Sequence, residues 1–436
     1  MKYGKSFFTN LIFAFFLLAA ALSQTVSAQV SGGDRANAFG MLDALRDTVK
    51  DNYYDANYHS VDLDFVYNEA KTRLKNAQTR DELMVILAQV TLTLNDSHTT
   101  FYPPARSADI DYGWRVSMIG KNCFVTGVKP KSDAETKGLK IGDKVLLING
   151  YKPTRENLWQ MYYRYYAVMP ISAARFTVLS ADEAKPHTVD VLTKISPTSN
   201  AVKIEDIRNR IIRKGWDARE DRYVEVGKEL LIWEMTSFST SEQYIDDMMK
   251  KANAHKSLVL DLRGNGGGAV SILKRLVGYF TDKELKIGDE KKKRETKPML
   301  AKPRGAGAFK GNLIVLVDHD SGSASEIFAR TVQLNKLGKV IGDKTAGAVM
   351  ESEFYPLEIG VGNIIFYGAS ITVADIIMPD GASLEKVGVT PDEIVLATGK
   401  DLTEKKDPVL SYAAKQLGVD ISPEKAGTLF PIIWGK

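Results

Sequence analysis

Residues 314–333 decide the fold of this chain, and they read Ile-Val-Leu-Val-Asp-His-Asp-Ser-Gly-Ser-Ala-Ser-Glu-Ile-Phe-Ala-Arg-Thr-Val-Gln. The apolar, β-branched run at 314–317 predicts a strand that is buried on both faces. A turn of small residues follows at 321–325, and Ile327, Phe328 and Val332 then recur at helical spacing. The stretch therefore predicts a strand, a tight turn and a helix in succession.

The turn holds three serines, and its place at the start of a helix gives them two possible roles. The unsatisfied N–H groups and the dipole of a helix N-terminus favour negative charge. A serine nucleophile can use such a place, because its acyl intermediate carries an oxyanion. Ser321, Ser323 or Ser325 can equally be an N-cap. On these residues alone, the capping role is the simpler interpretation.

The segments upstream of this stretch repeat the pattern of a buried strand followed by a helix. Strands are predicted at 230–235 and 258–263, and helices at 244–252 and 270–279. This alternation implies βαβ units around a largely parallel central sheet. The glycine-rich run at 264–268 lacks the spacing of a nucleotide-binding loop, and a cradle for an oxyanion or a peptide fits it better.

The first 28 residues differ in composition from the rest. Lys2 and Lys5 precede an apolar run at 11–22, and Val-Ser-Ala at 26–28 has the small-x-small pattern of a cleavage site. This arrangement predicts a secretory signal peptide at 1–28, because the apolar core is short for a bilayer span. We therefore expect a periplasmic or secreted protein with no membrane span after cleavage. An uncleaved anchor is the weaker interpretation.

Charge and cysteine content narrow the class of protein further. The 436-residue chain has a formal net charge of +4, and loss of Lys2 and Lys5 with the leader would leave about +2, which does not indicate nucleic acid binding. Its single cysteine, Cys123, cannot form an internal disulfide. The few histidines lack the spacing of a zinc site, so we expect no metal and no other cofactor. The oligomeric state is not indicated.

Residues 29–110 read as a helical region that ends in a loop carrying a histidine. The helix that begins at the capping box of Thr79 and Glu82 runs out near 95–98, and two prolines at 103–104 prevent its continuation. His98 therefore lies just past a helix end, where a lone histidine is more often surface decoration than a catalyst.

Residues 111–195 differ from the helical region before them, because they are rich in predicted strands. Gly-Leu-Lys-Ile-Gly-Asp-Lys-Val-Leu-Leu-Ile-Asn-Gly at 138–150 resembles the most recognisable segment of the PDZ domain. That family binds extended peptide ends by adding them to a sheet edge. The alternative is a β-rich insert that only positions its neighbours. The polar, charged segment 196–229 is interpreted as a linker to a core at 230–436.

Five motifs together resemble the S41 serine peptidases, the family of the C-terminal processing proteases and the tricorn protease core. They are Asp-Ser-His-Thr at 96–99, the PDZ-like segment, Asp-Leu-Arg at 261–263 with its glycines, Ser-Ala-Ser-Glu at 323–326 and Gly-Val-x-Pro-Asp at 388–392. The resemblance covers nearly all of the chain after the leader. It implies an α/β fold, with a ClpP/crotonase-like β/α core, an N-terminal helical region and an inserted PDZ-like, β-rich domain.

The resemblance also implies which residues form the site. The first serine of Ser-Ala-Ser-Glu is the family's nucleophile, which here is Ser323. Processing proteases use a lysine 25 residues after that serine, but this chain has Ala348 there, and Lys344 lies four residues too early. The tricorn-like branch instead implies His98 as general base, a role that suits an unperturbed histidine pKa.

In that branch Ser97 links the imidazole to a glutamate, which here is Glu385, and no aspartate is needed to orient the base. The oxyanion donors would be the backbone N–H groups of Ala324 and of Gly266 or Gly267. Loss of one such donor typically costs about 3 kcal/mol of transition-state stabilisation.

Two alternatives stay open at this point. His319, close to the nucleophile in sequence, is a minor candidate for the base. The resemblance implies an exported endopeptidase that cleaves unfolded or C-terminally exposed polypeptides through an acyl-enzyme. A non-catalytic protein that binds peptides or apolar ligands on the same fold is the second class, and the complete Ser-His-Ser-Glu set favours the enzyme.

Overall fold

The computed structural model of the chain describes residues 29–106, 108–197, 221–360 and 364–434. The predicted leader at 1–28 and most of the predicted linker, 198–220, lie outside the described residues. The α-helices in those ranges are α1 (Gly32–Asn52), α2 (Leu63–Asn76), α3 (Arg80–Leu92), α4 (Asp133–Thr136), α5 (Leu158–Tyr163), α6 (Glu242–Ala252), α7 (Val270–Val277), α8 (Ala324–Asn335), α9 (Gly399–Thr403), α10 (Pro408–Gln416) and α11 (Pro423–Gly427).

The strands of the same ranges form the sheets described below. They are β1 (Thr100–Tyr102), β2 (Ala108–Asp111), β3 (Trp114–Ile119), β4 (Asn122–Val128), β5 (Lys144–Ile148), β6 (Ala173–Leu179), β7 (His187–Leu192), β8 (Lys194–Pro197), β9 (Arg222–Val226), β10 (Leu230–Glu234), β11 (Ser257–Asp261), β12 (Leu285–Lys292), β13 (Thr296–Ala301), β14 (Asn312–Val317), β15 (Lys339–Gly342), β16 (Met350–Ile359), β17 (Ile365–Ile377) and β18 (Glu393–Ile394).

A central sheet in the order β18-β15-β14-β11-β10-β9 forms the core. Its strands pair in parallel, except that β9 runs antiparallel to β10. Leu258 and Leu260 of β11 pack towards α6, α7 and α8, whereas Val259 between them packs towards α10 and α11. The sheet is therefore covered by helices on both faces, which is why its strands read as continuous apolar runs. The predicted parallel α/β core is confirmed.

Strand β9 departs from the sequence interpretation. Residues 222–226 were assigned to the linker at 196–229, but they form an edge strand of the central sheet, paired with β10. The strand alternates half-buried and exposed residues, so it has the polar composition of an exposed edge. The core sheet therefore begins before residue 230.

The N-terminal helices pack on a second sheet, in the order β1-β17-β12-β13 with β16 also paired to β17. Leu42, Leu45, Leu74 and Leu87 share one buried cluster with Ile371 of β17. Strand β1 follows α3 after a short loop and pairs antiparallel with β17. This pairing fixes the loop at 95–99 beside β17, because the strand that follows the loop belongs to the same sheet as β17.

The inserted region forms an antiparallel sheet in the order β3-β4-β5-β6-β7, with its own apolar core. The face of the edge strand β3 that carries Ser117 turns towards the central sheet, since Ser117 Oγ donates to Asp320 Oδ2 at 2.7 Å. Arg155 Nη1 donates to Asp343 Oδ2 at 2.9 Å, which gives a second contact between the two parts. Within the described residues, no helix is both long and apolar enough to cross a bilayer.

Candidate active site

The turn between β14 and α8 distinguishes the three serines. The hydroxyl of Ser321 donates to the Leu262 carbonyl at 2.8 Å, and that of Ser325 donates to the Asn265 carbonyl at 2.8 Å. Both serines are fully buried, whereas Ser323 is half-buried. Ser323 has φ 53° and ψ −117°, a backbone conformation outside the usual range of N-caps that costs on the order of 1–3 kcal/mol. The turn therefore presents Ser323 alone at the N-terminus of α8.

A buried carboxylate holds this turn in place. Glu326 is 0% exposed and accepts backbone hydrogen bonds from Ser323 at 3.1 Å, Gly347 at 2.8 Å and Ala348 at 2.9 Å. The Thr345 hydroxyl donates to it at 2.5 Å. Burial raises the pKa of Glu326 to about 7, against the lowering effect of these four donors. Sequence reasoning missed this role, although Ser-x-x-Glu at a helix start is the signal of a capping box.

The glycine-rich loop after β11 lies directly against residues 321–325, the turn that carries the candidate nucleophile Ser323 and is named the nucleophile turn for it. A Cβ on Gly267, whose φ is +99°, would lie 2.7 Å from Ser323 Cβ and 2.9 Å from the Ala324 nitrogen. Only glycine allows so close an approach. The glycine loop and the N-terminus of α8 therefore lie in close contact.

One predicted oxyanion donor needs correction. The N–H of Gly267 donates to the Asn265 side-chain oxygen at 2.9 Å, so this donor is already used within the loop. The N–H groups of Gly266 and Ala324 have no hydrogen-bond acceptor in the described part of the chain. These two groups are therefore the candidates for an oxyanion hole.

A hydrogen-bonded relay joins His98, Ser97 and Glu385. The Ser97 hydroxyl lies 2.7 Å from His98 Nδ1 and donates to Glu385 Oε2 at 2.8 Å. The Ser97 N–H donates to Glu385 Oε1 at 2.8 Å, so one residue contacts both carboxylate oxygens. Ser97 lies in the loop between α3 and β1, and Glu385 in the loop between β17 and β18, 288 residues away. The fold brings together three of the residues implied by the resemblance.

A second buried carboxylate shapes the loop that carries the relay. Asp96 is 3% exposed, and its Oδ1 accepts the N–H groups of His98 at 2.8 Å and Thr99 at 2.6 Å. The Thr372 hydroxyl of β17 donates to Oδ1 at 2.7 Å, and the Tyr53 hydroxyl donates to Oδ2 at 2.8 Å. Asp96 therefore ties the loop to α1 and β17. An aspartate that accepts from the second and third N–H groups after it is a common turn motif, and that signal was present in the sequence.

Residues 348 and 349 join the relay to the nucleophile turn. The Ser323 N–H donates to the Ala348 carbonyl at 2.8 Å. The next N–H along the chain, that of Val349, donates to Glu385 Oε2 at 2.9 Å. The nucleophile turn and the Glu385 carboxylate are thus bound to consecutive residues of one segment.

Burial and nearby charge set the ionisation of the relay. Burial lowers the pKa of His98 to about 4, and the positive charge of Lys386 acts in the same direction. Burial also raises the pKa of Glu385, while Lys386 and the hydrogen bonds from Ser97 and Val349 oppose that rise. The imidazole is therefore neutral near pH 7, the state in which it can accept a proton.

The other candidates for the base are placed less favourably. The Lys344 side chain is exposed. His319 is 6% exposed, and burial followed by the charge of Arg155 lowers its pKa to about 4. Neither residue contacts the Ser97–Glu385 pair among the hydrogen bonds of the described residues.

The Asp-Leu-Arg motif has a structural role. Arg263 Nη2 lies 2.6 Å from Asp261 and 2.7 Å from Asp407, so it joins β11 to the start of α10. Asp392 Oδ2 accepts the Val340 N–H at 2.8 Å, so it joins the residue before β18 to β15. No group of three or more His, Cys, Asp or Glu side chains suited to a metal occurs among the residues that the structure describes.

Comparison with known proteins gives independent information on the family of this chain. Residues 230–395 match the model of peptidase family S41, and residues 34–91 match that of the tricorn protease C1 domain. The C-terminal processing peptidase of Tetradesmus obliquus is 25% identical over 336 residues, which are 73% of this chain and 68% of that protein. The carboxyl-terminal-processing protease of Picosynechococcus is 23% identical over 334 residues, covering 73% of this chain and 74% of that protein.

More distant similarities agree with these. The tricorn protease of Thermoplasma acidophilum is 27% identical over 168 residues, which are 38% of this chain and 14% of that protein. The crystal structure of mature CPAF superimposes with a TM-score of 0.63 over 85% of this chain and 95% of that one, at 12% identity, which shows a shared fold. Residues 230–395 thus match peptidase family S41, and this match together with the curated relatives indicates that the protein is a serine peptidase.

Proposed function

We propose that this protein is an exported endopeptidase that cleaves unfolded or C-terminally exposed polypeptides through an acyl-enzyme on Ser323. The observation that supports this most is the Ser97 hydroxyl, held at 2.7 Å from His98 and 2.8 Å from Glu385. A nucleophilic serine needs a base whose tautomer is fixed by a third group. The relay supplies that group, and its carboxylate is bound to the segment that also holds the nucleophile turn.

The relay determines the direction of proton transfer. Ser97 donates its hydroxyl proton to Glu385, so its oxygen accepts the Nδ1 proton of His98 and leaves Nε2 unprotonated. Nε2 takes the hydroxyl proton of Ser323 as the oxygen attacks the scissile carbonyl, and later gives that proton to the leaving amine. Water then hydrolyses the ester by the same route. The imidazolium formed in each step is stabilised through Ser97 by the Glu385 carboxylate.

The oxyanion of each tetrahedral intermediate would accept from the N–H groups of Gly266 and Ala324. These groups lie on the glycine loop and at the first residue of α8. The positive end of the helix dipole adds to the same stabilisation, because Ala324 begins the helix.

The substrate class rests on three features. The relatives include proteins named for C-terminal processing. The pattern of the first 28 residues favours export. The edge strand β3 resembles a peptide-binding edge, although the Tyr162 hydroxyl now bonds both the N–H of Val116, at 2.9 Å, and its carbonyl, at 2.6 Å. A peptide that added to β3 at this residue would have to displace Tyr162.

A serine-directed fluorophosphonate probe tests the proposal. The wild-type protein should be labelled on Ser323, and Ser323→Ala should abolish labelling. His98→Ala should slow it by at least about 100-fold, while Lys344→Ala should keep most of it. Ser271→Ala, which removes an exposed serine of α7, is the control. Cleavage of denatured proteins, mapped by mass spectrometry, should produce new termini only with the intact serine. Wild-type protein that stays unlabelled would contradict the proposal.

A further inference from the structure

Lys386 brings a positive charge to the relay from the solvent side. Its Nζ lies 3.7 Å from Glu385 Oε1. The Glu385 side chain is 12% exposed and that of Lys386 is 47% exposed. A mostly buried carboxylate thus has a half-exposed cation beside it, and water screens the pair only in part.

The backbone of Lys386 is held close to the catalytic segment. Its N–H donates to the Gly347 carbonyl at 2.8 Å, beside the N–H groups that bind Glu326. Its φ is +61°, a left-handed conformation that glycine or asparagine adopts more readily than lysine. The side chain therefore starts from a fixed point next to Glu385.

Three ionisable groups, Asp96, Lys386 and Tyr54, face the relay from the elements packed on it. Asp96, from the His98 loop, raises the pKa of both His98 and Glu385, whereas Lys386 lowers both. Tyr54, at the end of α1, faces Glu385 with a neutral hydroxyl whose pKa is raised, first by burial. Lys386 is thus the cation that opposes burial at Glu385 and disfavours the imidazolium at His98.

The ionisation of Glu385 decides which ring nitrogen of His98 carries the proton. The ionised carboxylate accepts from the Ser97 hydroxyl, the Ser97 N–H and the Val349 N–H. A protonated carboxyl would instead donate to Ser97, whose own proton would then turn to Nδ1. The ring proton would move to Nε2, and the base could no longer accept the Ser323 proton.

We propose that Lys386 is a positioning residue that keeps Glu385 ionised and thereby holds His98 in its reactive tautomer. The inference rests on the proposed function, since it assigns a role within the same relay. Removing the charge makes Glu385 easier to protonate and His98 easier to charge. Both changes move the acid limb of activity in the same direction, towards higher pH.

The test is the pH dependence of Ser323 labelling by the fluorophosphonate probe. In Lys386→Met the acid limb should move up by about half a unit to one unit, the size expected for a half-exposed lysine, with the alkaline plateau within about twofold of wild type. Lys386→Arg should restore the wild-type limb. Lys344→Met removes an exposed charge three residues before Gly347 that makes no ion pair with Glu385. This variant is the matched control and should not move the acid limb.

The outcomes separate the inference from the proposed function. The role of Lys386 is overturned if the acid limb of Lys386→Met coincides with that of wild type, or if its labelling rate falls equally at every pH. Labelling of Ser323 would still support the enzyme in either case. A protein without Ser323-dependent labelling overturns the proposed function. In that case the role of Lys386 is tested without catalysis, by an NMR titration of the His98 imidazole. The His98→Gln variant assigns the signal. Its pKa should rise in Lys386→Met, and an unchanged titration would refute the inference.

Discussion

Replacing Ser97 by alanine should slow acylation of Ser323 by about 30- to 1,000-fold and leave the fold intact. The hydroxyl makes two hydrogen bonds, at 2.7 Å to His98 and 2.8 Å to Glu385, and the alanine makes neither. Each bond stabilises a charged partner in the transition state, so each contributes about 1–2 kcal/mol and together about 2–4 kcal/mol. Since 1.36 kcal/mol corresponds to a factor of ten, the expected range follows directly.

The fold should survive because the remaining contacts of the loop do not involve this hydroxyl. The Ser97 N–H still donates to Glu385 Oε1, and Asp96 still accepts the N–H groups of His98 and Thr99. The assay is the second-order rate of probe labelling at pH 8, together with the thermal midpoint of each variant. Ser97→Thr, which keeps a hydroxyl, should lie within about tenfold of wild type.

Two results would refute this reasoning. A Ser97→Ala enzyme within threefold of wild type would show that His98 is oriented by some other contact. A folded Ser97→Thr variant as slow as Ser97→Ala would show that the hydroxyl itself is not what matters.

Two further predictions concern the residues that hold the nucleophile turn. Glu326→Gln should lower the free energy of unfolding by about 2–4 kcal/mol, measured by thermal or denaturant unfolding. In either orientation of the amide, its NH₂ group would face N–H or O–H donors that bind the carboxylate in the wild type. An unchanged unfolding midpoint would contradict this prediction. Gly267→Ala should reduce labelling by at least about 100-fold, since its Cβ would lie 2.9 Å from the Ala324 nitrogen and block an oxyanion donor. Gly381→Ala, with φ +83° but open space around the new Cβ, isolates the effect of backbone strain and should stay active.

The local elements were predictable because their signals are local. The run at 314–317 reads as a strand buried on both faces, and the structure places β14 at Asn312–Val317 inside the central sheet. The helix after it was expected from Ile327, Phe328 and Val332, which line the buried side of α8. The strand is marked by a short β-branched run that ends at turn residues, and the helix by apolar residues that recur at helical spacing. Strand β9 was not predicted, because an edge strand with a polar face has few apolar residues and gives only a weak alternating pattern.

The site was only partly predictable, and the reason is that hydrogen bonds across the fold decide it. Three serines in one turn looked alike, and the structure separates them by burying Ser321 and Ser325 against carbonyls of the glycine loop region. Gly266 and Gly267 were equivalent in the sequence, but the Asn265 side chain takes the Gly267 N–H. Glu326 and Asp96 were visible as capping and turn patterns, yet the number of donors on each carboxylate depends on segments far along the chain.

The sequence by itself determined the parallel α/β core, the serine at the strand-to-helix turn and, through its motifs, the resemblance to peptidase family S41. These rest on the period of apolar residues and on short motif spacings, which are local properties of the sequence and do not depend on tertiary contacts. Only the tertiary structure decided that Ser97 and Glu385 meet across 288 residues, and that burial lowers the pKa of His98 while raising that of Glu385. Proximity and desolvation are properties of the folded chain, because both depend on which remote segments exclude water from the same place.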